Sequence, residues 1–213
     1  MEQRLGLRER RKLETARALR AVAIKLFTQR GFDNVSIAQI AEEAGVSKVT
    51  VFNYFPAKED LLLKPLEEHT DEPAGVIREC LADDPAGLRA LHDFVLTCIA
   101  EHDPIMGMSD DPQVLAVYRL VMATPALVQR AGRLASRSEE LLADELRGRL
   151  PDMVARIAAA QIVGVLKALR GRNLERLLAG EPPAAVKAHA IADADLAFDI
   201  LEHGIGRYVS SPA

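Results

Sequence analysis

The feature that most limits how this chain can fold is a pair of short amphipathic segments, separated by a glycine turn, at residues 36–54. Ser36 and Gln39 have the spacing of a capping box. In this motif the serine hydroxyl accepts a hydrogen bond from the glutamine backbone amide, and the glutamine side chain accepts one from the serine backbone amide. Gly45 ends the first segment, and Ser47 is a favourable N-cap for the second. Two short helices joined by a turn that contains glycine are typical of a helix-turn-helix, whose second helix can enter the DNA major groove.

The two faces of this segment differ in character, as a helix-turn-helix requires. Its polar face suits DNA, because lysine can bond guanine or a phosphate, asparagine can bond adenine, and hydroxyl groups suit phosphates. Any three short helices with glycines between them share much of this pattern, so the pattern alone leaves DNA binding open. The expected underside is Ile37, Ile40, Ala41, Val46 and Val51 with Phe55 as a plug, and the expected outer face is Lys48, Thr50, Asn53 and Tyr54.

The rest of the chain predicts an all-α fold. Apolar residues recur at spacings of three and four over about Glu9 to Arg30, which favours a helix. Aromatic residues make up only 4% and tryptophan is absent, whereas β-rich domains depend on such residues. Three later helix starts place proline after a capping residue: Asp84-Pro85, Asp111-Pro112 and Thr124-Pro125. The remaining helices are expected near 58–70, 85–102, 112–123, 125–149, 152–179 and 183–208.

Residues 13–62 resemble the N-terminal domain of the tetracycline-repressor (TetR) family of bacterial transcription regulators. The resemblance is carried by A-x-x-L-F-x-x-x-G-F at Ala23–Phe32, by I-A-x-x-A-G-V-S at Ile40–Ser47, and by N-Y-F-x-x-K-E-x-L at Asn53–Leu61. The resemblance covers about 50 of the 213 residues. Beyond them the chain is similar to the family only in its helical pattern and its length.

The resemblance implies an N-terminal three-helix helix-turn-helix domain at 1–57, with its motif at about 36–55, and a helical dimerisation and effector-binding domain at 58–213. Two residues depart from the family pattern: Val49 stands where glycine is common, and Phe52 replaces a common tyrosine. Carried over residue by residue, the DNA contacts fall on Ser36, Lys48, Thr50, Phe52, Asn53, Tyr54 and Lys58.

The C-terminal half offers a surface for dimerisation. Within Met153–Leu169 the clearly polar residues are Arg156, Gln161 and Lys167, and a helix that is apolar nearly all round must be buried on more than one face. A single central core helix in a monomer is the alternative. The resemblance implies a homodimer with a four-helix interface, for which the candidate residues are Ala160, Gly164, Ala197, Leu201 and Ile205.

The resemblance also implies a small-molecule effector, which the sequence does not identify. Polar or flexible side chains on the apolar faces of the middle helices are the candidate contacts, although each also fits an ordinary core. Met106 and Met108, in the connector 103–111, fit either an adaptable pocket rim or loose packing. The candidate effector-binding residues are His92, Thr97, Cys98, Tyr118, Met122 and Gln161.

Charge is distributed unevenly along the chain. Residues 1–55 hold ten Lys/Arg against six Asp/Glu, whereas the remainder holds seventeen against twenty-five. This asymmetry indicates a basic module on an acidic body and agrees with a DNA operator as partner. The run Arg8, Arg10, Arg11 and Lys12 fits either a phosphate-binding arm or a solvated terminus.

Other classes of function find little support. The chain contains no G-x-S-x-G, no H-E-x-x-H and no phosphate-binding glycine loop after a strand, so no catalytic residue is predicted. The spacing of His92, Cys98, His102 and Asp103 matches no zinc signature, and neither a metal nor a cofactor is expected. Two cysteines and the lack of a long apolar run predict a cytoplasmic protein without a membrane partner. A DNA-binding dimer or activator that responds to no ligand, and an α-helical enzyme, remain as alternatives.

Overall fold

A computed structural model of the chain describes residues 6–80 and 87–204. Within these ranges the regular structure is helical, which confirms the predicted all-α fold. Short connections follow most of the helices, and a single turn of 3₁₀ helix lies at Pro104–Met106. The α-helices are α1 (Leu7–Arg30), α2 (Ile37–Glu43), α3 (Lys48–Tyr54), α4 (Asp60–Glu68), α5 (Glu72–Cys80), α6 (Gly87–Ala100), α7 (Pro112–Ala123), α8 (Pro125–Leu146), α9 (Asp152–Leu178) and α10 (Pro183–His203).

Most helix boundaries agree with the sequence-based predictions to within a few residues, but α5 was missed. Pro73 lies in the first turn of α5, where a missing N–H removes no internal hydrogen bond. The cap at Asp111 is confirmed, because its carboxylate accepts a hydrogen bond of 2.7 Å from the Gln113 amide. The Thr124 hydroxyl instead donates back to the Leu120 carbonyl at 2.8 Å. The predicted cap at 84 lies outside the described residues.

One compact unit, the N-terminal unit, contains the described chain up to Pro65 together with Ala116–Ala131. Its core forms where the apolar face of α1 meets α2, and α2 in turn packs against α3. The rings of Phe27 and Phe32 lie 5.0 Å apart at the end of α1. The largest fully buried side chains of this unit are Leu19, Phe27, Val35, Ile40, Val51, Phe55, Leu61 and Leu127.

The other unit contains Leu66–Leu115 and Gly132–Ala213, as far as it is described. Its hydrophobic core is built around α6, which packs against both α5 and α10, while α9 packs against α10. The division of the chain into a DNA-binding part and an effector-binding part stays a prediction, because compactness does not tell what each unit binds. Prominent members of this core are Leu91, Val95, Ile99, Met108, Leu142, Val186 and Phe198.

The connector between α6 and α7 is part of this core. Met106 and Met108 are buried, at 4% and 2% exposure, so neither forms the flexible rim that the sequence allowed. Asn173 holds the connector from α9 by donating to the Met106 carbonyl at 2.9 Å. Gly107 has φ of 71°, and a Cβ built on it lies 2.6 Å from the carbonyl oxygen of Arg170. A residue without a side chain is therefore required at this position.

We predict that Gly107→Ala lowers the free energy of unfolding by about 2–4 kcal/mol, because left-handed backbone and overpacking both disfavour the added methyl. Urea denaturation measures the loss. The matched control is Gly132→Ala on α8, where a Cβ meets nothing within 4 Å. Removing a helical glycine there should leave stability unchanged or raise it by up to about 1 kcal/mol. Equal effects of the two substitutions would contradict the assigned packing of the connector.

Candidate nucleic-acid interface

The amino end of α2 is fixed by the predicted capping box. The Ser36 hydroxyl accepts from the Gln39 amide at 3.3 Å, and the Gln39 side chain accepts from the Ser36 amide at 2.8 Å. Ser36 is exposed. A capped helix start with an exposed hydroxyl and backbone N–H groups is suited to an anionic partner such as a phosphate.

The third helix is held on a rigid base. Ser47 caps it by accepting from the Thr50 amide at 3.0 Å, and the two hydroxyls lie 2.9 Å apart. On the underside, Ile40 and Val51 are both at 0% exposure, and Phe55 is at 2%. This apolar base agrees with the predicted underside, and it fixes which side chains α3 turns outward.

The outward face of α3 mixes one cation, one amide and two apolar groups. Lys48 and Asn53 are exposed, while Val49 and Phe52 are exposed at 68% and 48%. Val49 was not among the predicted contacts, although its spacing from Phe52 and Asn53 places the three on one face. Apolar side chains on such a face can contact a thymine methyl group, and lysine and asparagine can bond base edges. Thr50 and Tyr54 are half-buried, so they lie at the border of this face.

Lys58 is half-buried and packs against aromatic rings. Its ammonium lies 4.2 Å from the centre of the Phe32 ring and 5.7 Å from that of Phe27, a cation–π arrangement. Partial burial lowers the pKa of Lys58, and the charges of Asp33 and Glu59 oppose this shift. Packing against the domain is therefore one role of this side chain, and phosphate contact remains a prediction.

Lys48 lies at the amino end of α3, where side chains of helix-turn-helix proteins reach base edges. If Lys48 reads guanine, Lys48→Ala should weaken binding by about 1–3 kcal/mol and relax preference at one base pair. If it contacts only phosphate, binding should weaken alike on all sequences with a shallower salt dependence. Fluorescence anisotropy with specific and random duplexes separates the two, and unchanged affinity on both would exclude Lys48 from the interface.

A partly buried ion pair that the sequence did not indicate stabilises this unit. Arg130, on α8, lies 3.2 Å from Asp60, at the start of α4, and Asp60 is only 5% exposed. The same carboxylate accepts from the Ala57 amide at 2.9 Å. Arg130 and Asp60 are separated by 70 residues, so no sequence spacing could have revealed this contact. Through these two contacts Asp60 joins the turn between α3 and α4 to α8.

The predicted effector-binding residues do not share one environment. Cys98 is buried, and desolvation raises the pKa of its thiol to about 11. His92 is half-buried, with Nε2 3.0 Å from Asp195 and its ring centre 4.7 Å from that of Phe198. Tyr118 is half-buried, whereas Thr97, Met122 and Gln161 are exposed. An effector site at these residues stays a prediction.

The predicted dimer residues fall into two groups. Ala160 and Gly164 are exposed on α9, and a Cβ built on Gly164 meets nothing within 4 Å. Ala197 and Leu201 are half-buried against the core of their own unit. Ile205 lies outside the described residues. Other apolar side chains of α9 and α10 are also exposed, namely Met153 (66%), Val154 (47%), Ile157 (50%), Ile191 (39%) and Leu196 (48%).

In residues 6–80 and 87–204, no group of three His, Cys, Asp or Glu side chains is placed to hold a metal ion. None of the helices in these ranges combines the length and the hydrophobicity of a membrane-spanning segment.

Comparison with known sequences points to one family. Residues 19–64 match the family model of the bacterial regulatory proteins, tetR family. The chain is 30% identical over 152 residues to the transcriptional regulator RutR of Escherichia coli O157:H7, and 32% identical over 154 residues to the transcriptional regulator TcmR of Streptomyces glaucescens. Each match covers 70% of this chain but only 61% and 63% of the relatives' length. Both are named as regulators, in agreement with the prediction that the chain is not an enzyme.

Comparison with solved structures supports the same fold. NalD of Pseudomonas aeruginosa, the secondary repressor of a multidrug efflux pump, superposes with a TM-score of 0.55 at 24% identity, covering 90% of this chain and 95% of its own. The regulator FadR of Bacillus subtilis, solved in complex with stearoyl-CoA, gives a TM-score of 0.50 at 18% identity, with coverage of 88% and 98%. At these identities the likeness concerns the fold alone.

Proposed function

The chain belongs to the tetR family of bacterial regulatory proteins, and from that premise we propose that it regulates transcription by binding a palindromic DNA operator as a homodimer. The observation that carries the proposal is the outward face of α3, where Lys48, Val49, Phe52 and Asn53 stand exposed on a buried apolar base. These groups suit the major groove, and the capped start of α2 suits the adjoining phosphates.

Dimerisation is proposed through α9 and α10. The exposed apolar residues on α9 form a row with Gly164 and Ala160, and α10 packs beside α9 with exposed apolar residues of its own. A single chain leaves this surface open to water, whereas a second copy would bury it. Two-fold pairing would present two copies of α3, which is the symmetry that a palindromic operator requires.

Repression that is relieved by a small-molecule effector is the proposed mode of regulation. Its support is by analogy, since NalD is named as a repressor and FadR was solved with a ligand. An effector would act by binding preferentially to the form of the dimer whose two α3 helices are wrongly spaced for DNA. The resulting shift cannot exceed the difference in affinity of the effector for the two forms. A regulator of this kind works in the cytoplasm.

Mapping of bound DNA across the genome tests the proposal. The expected result is a set of sites that share an inverted repeat, with neighbouring genes that indicate the chemical class of the effector. Binding that is independent of sequence would contradict it. A melting temperature that rises with a candidate compound would separate an effector-responsive repressor from the second candidate, a dimer or activator that responds to no ligand.

A further inference from the structure

Val49 and Phe52, the two residues that depart from the family pattern, are exposed apolar residues on α3. Their exposure is 68% and 48%, and at a spacing of three residues they are neighbours on the helix surface. The apolar base of α3 is formed by Val51 and Phe55, at 0% and 2% exposure, and does not include them. Valine also has a lower helix propensity than alanine. Folding of the N-terminal unit therefore does not explain a valine at position 49.

Polar side chains flank this apolar pair. Lys48 precedes Val49, Asn53 follows Phe52, and both polar side chains are exposed. An asparagine amide can pair with N6 and N7 of adenine, and the thymine of the same base pair presents its 5-methyl group in the major groove. A G·C pair offers no methyl group there. An exposed valine one helical turn from an asparagine therefore complements an A·T pair.

We propose that Val49 packs against the 5-methyl group of a pyrimidine in each half-site of the operator, with Phe52 covering the other side of this contact. The inference rests on the proposed function, and it names a base feature that α3 reads besides hydrogen-bonding edges. In unmodified DNA the base is thymine. A 5-methylcytosine presents the same methyl group, so methylation of a cytosine at this position is read in the same way.

The size of the effect follows from the burial of one methyl group. Removing a group of this size from water strengthens binding about 4-fold. A two-fold dimer makes the contact in both half-sites, so the methyl groups together strengthen binding about 15-fold. This gain depends on an apolar side chain at position 49 and is independent of the charge of Lys48.

Uracil in place of thymine tests the contact, because this change removes the methyl group and leaves the hydrogen-bonding edge of the base intact. The probe is the duplex that the wild-type protein selects from a random 40-bp library. Each thymine of one half-site and its symmetry mate are replaced in turn by uracil, and fluorescence anisotropy measures the affinity. At one position the wild type should lose about 15-fold in affinity. Val49→Ala should bind the thymine and uracil duplexes equally.

A matched control separates the contact from a general effect of removing a valine. Val128, on α8, is also exposed, at 43%. Val128→Ala should keep the full difference between the thymine and uracil duplexes. Both substitutions replace an exposed valine in a helix with a better helix former, and circular dichroism checks that both variants remain folded.

A second pair of duplexes distinguishes the methyl group from the rest of the thymine. Cytosine or 5-methylcytosine, each opposite guanine, replaces thymine at the sensitive position of both half-sites. The wild type should bind the 5-methylcytosine duplex about 15-fold more tightly than the cytosine duplex, and Val49→Ala should bind the two equally. Equal binding of both duplexes by the wild type would mean that α3 reads another part of the thymine, and would contradict the inference.

The outcomes also separate the inference from the function on which it rests. If the wild type selects a duplex but no uracil substitution weakens binding, or if Val49→Ala keeps the wild-type difference, the role of Val49 is overturned and the proposed function stands. Failure of the wild type to enrich any duplex would overturn both. A difference that is lost in Phe52→Ala but kept in Val49→Ala would assign the methyl contact to Phe52 and contradict the inference.

Discussion

Gly164→Leu is expected to convert the dimer into monomers at micromolar concentration. Gly164 is exposed within the apolar face of α9, and a side chain there meets nothing in its own subunit. In a dimer that pairs through this face, each leucine would overpack the contact by about 1–3 kcal/mol, and two-fold symmetry doubles the effect. A total of about 2–6 kcal/mol corresponds to a dimer dissociation constant raised about 30-fold to more than 10,000-fold.

Light scattering measures the mass of the variant, and circular dichroism should show that each subunit remains folded. The control is Gly132→Leu on α8, where a side chain also meets open space but the proposed interface is absent. This control should stay dimeric. Operator affinity should fall with dimerisation, because a monomer loses the second half-site. If Gly164→Leu is an intact dimer with full operator affinity, the interface must lie elsewhere.

Arg130→Met is expected to be the most destabilising substitution in the N-terminal unit outside the apolar core. It leaves Asp60, at 5% exposure, without the guanidinium that lies 3.2 Å away. Removing one partner of a fully buried ion pair costs about 3–5 kcal/mol, because the remaining charge is desolvated and uncompensated. Since the Arg130 side chain is 28% exposed, the loss is expected near the lower end of this range, at about 3 kcal/mol. The free energy of unfolding from urea titration measures this loss.

Two controls define the origin of the effect. Lys25→Met breaks the ion pair with Glu43, whose side chains are 57% and 44% exposed, and should cost no more than about 1 kcal/mol. Adding Asp60→Asn to Arg130→Met removes the second charge and should restore part of the lost stability. A loss no greater than that of Lys25→Met would mean that Asp60 does not depend on Arg130.

The helix-turn-helix could be predicted because its determinants are local. Ser36 with Gln39, and Ser47 with the Thr50 amide, are hydrogen bonds between residues three apart, and the sequence shows such spacing directly. The buried underside at Ile40 and Val51 follows from the same periodicity. Capping and amphipathic spacing therefore determined both the fold of this part and the outward face of α3.

Other features of the structure depend on contacts between residues that are distant in the sequence. The pairing of Asp60 with Arg130 spans 70 positions, and the burial of Met106 and Met108 depends on how the connector packs against the core of its unit. Helix α5 was missed, and its proline does not help to identify it, since a proline in a first turn has the same local signature as one that ends a helix. The candidate effector residues were chosen by periodicity, which does not determine whether a side chain such as Met122 faces a cavity or water.

We propose that this protein reads an inverted repeat with two copies of α3. Hydroxyl-radical footprinting on the duplex selected by the wild-type protein tests it most directly. We expect two symmetry-related protected segments whose centres lie about one helical turn, ~34–36 Å, apart, and both should be lost together when either half-site is scrambled. A single unrepeated protected segment at saturating protein would contradict it.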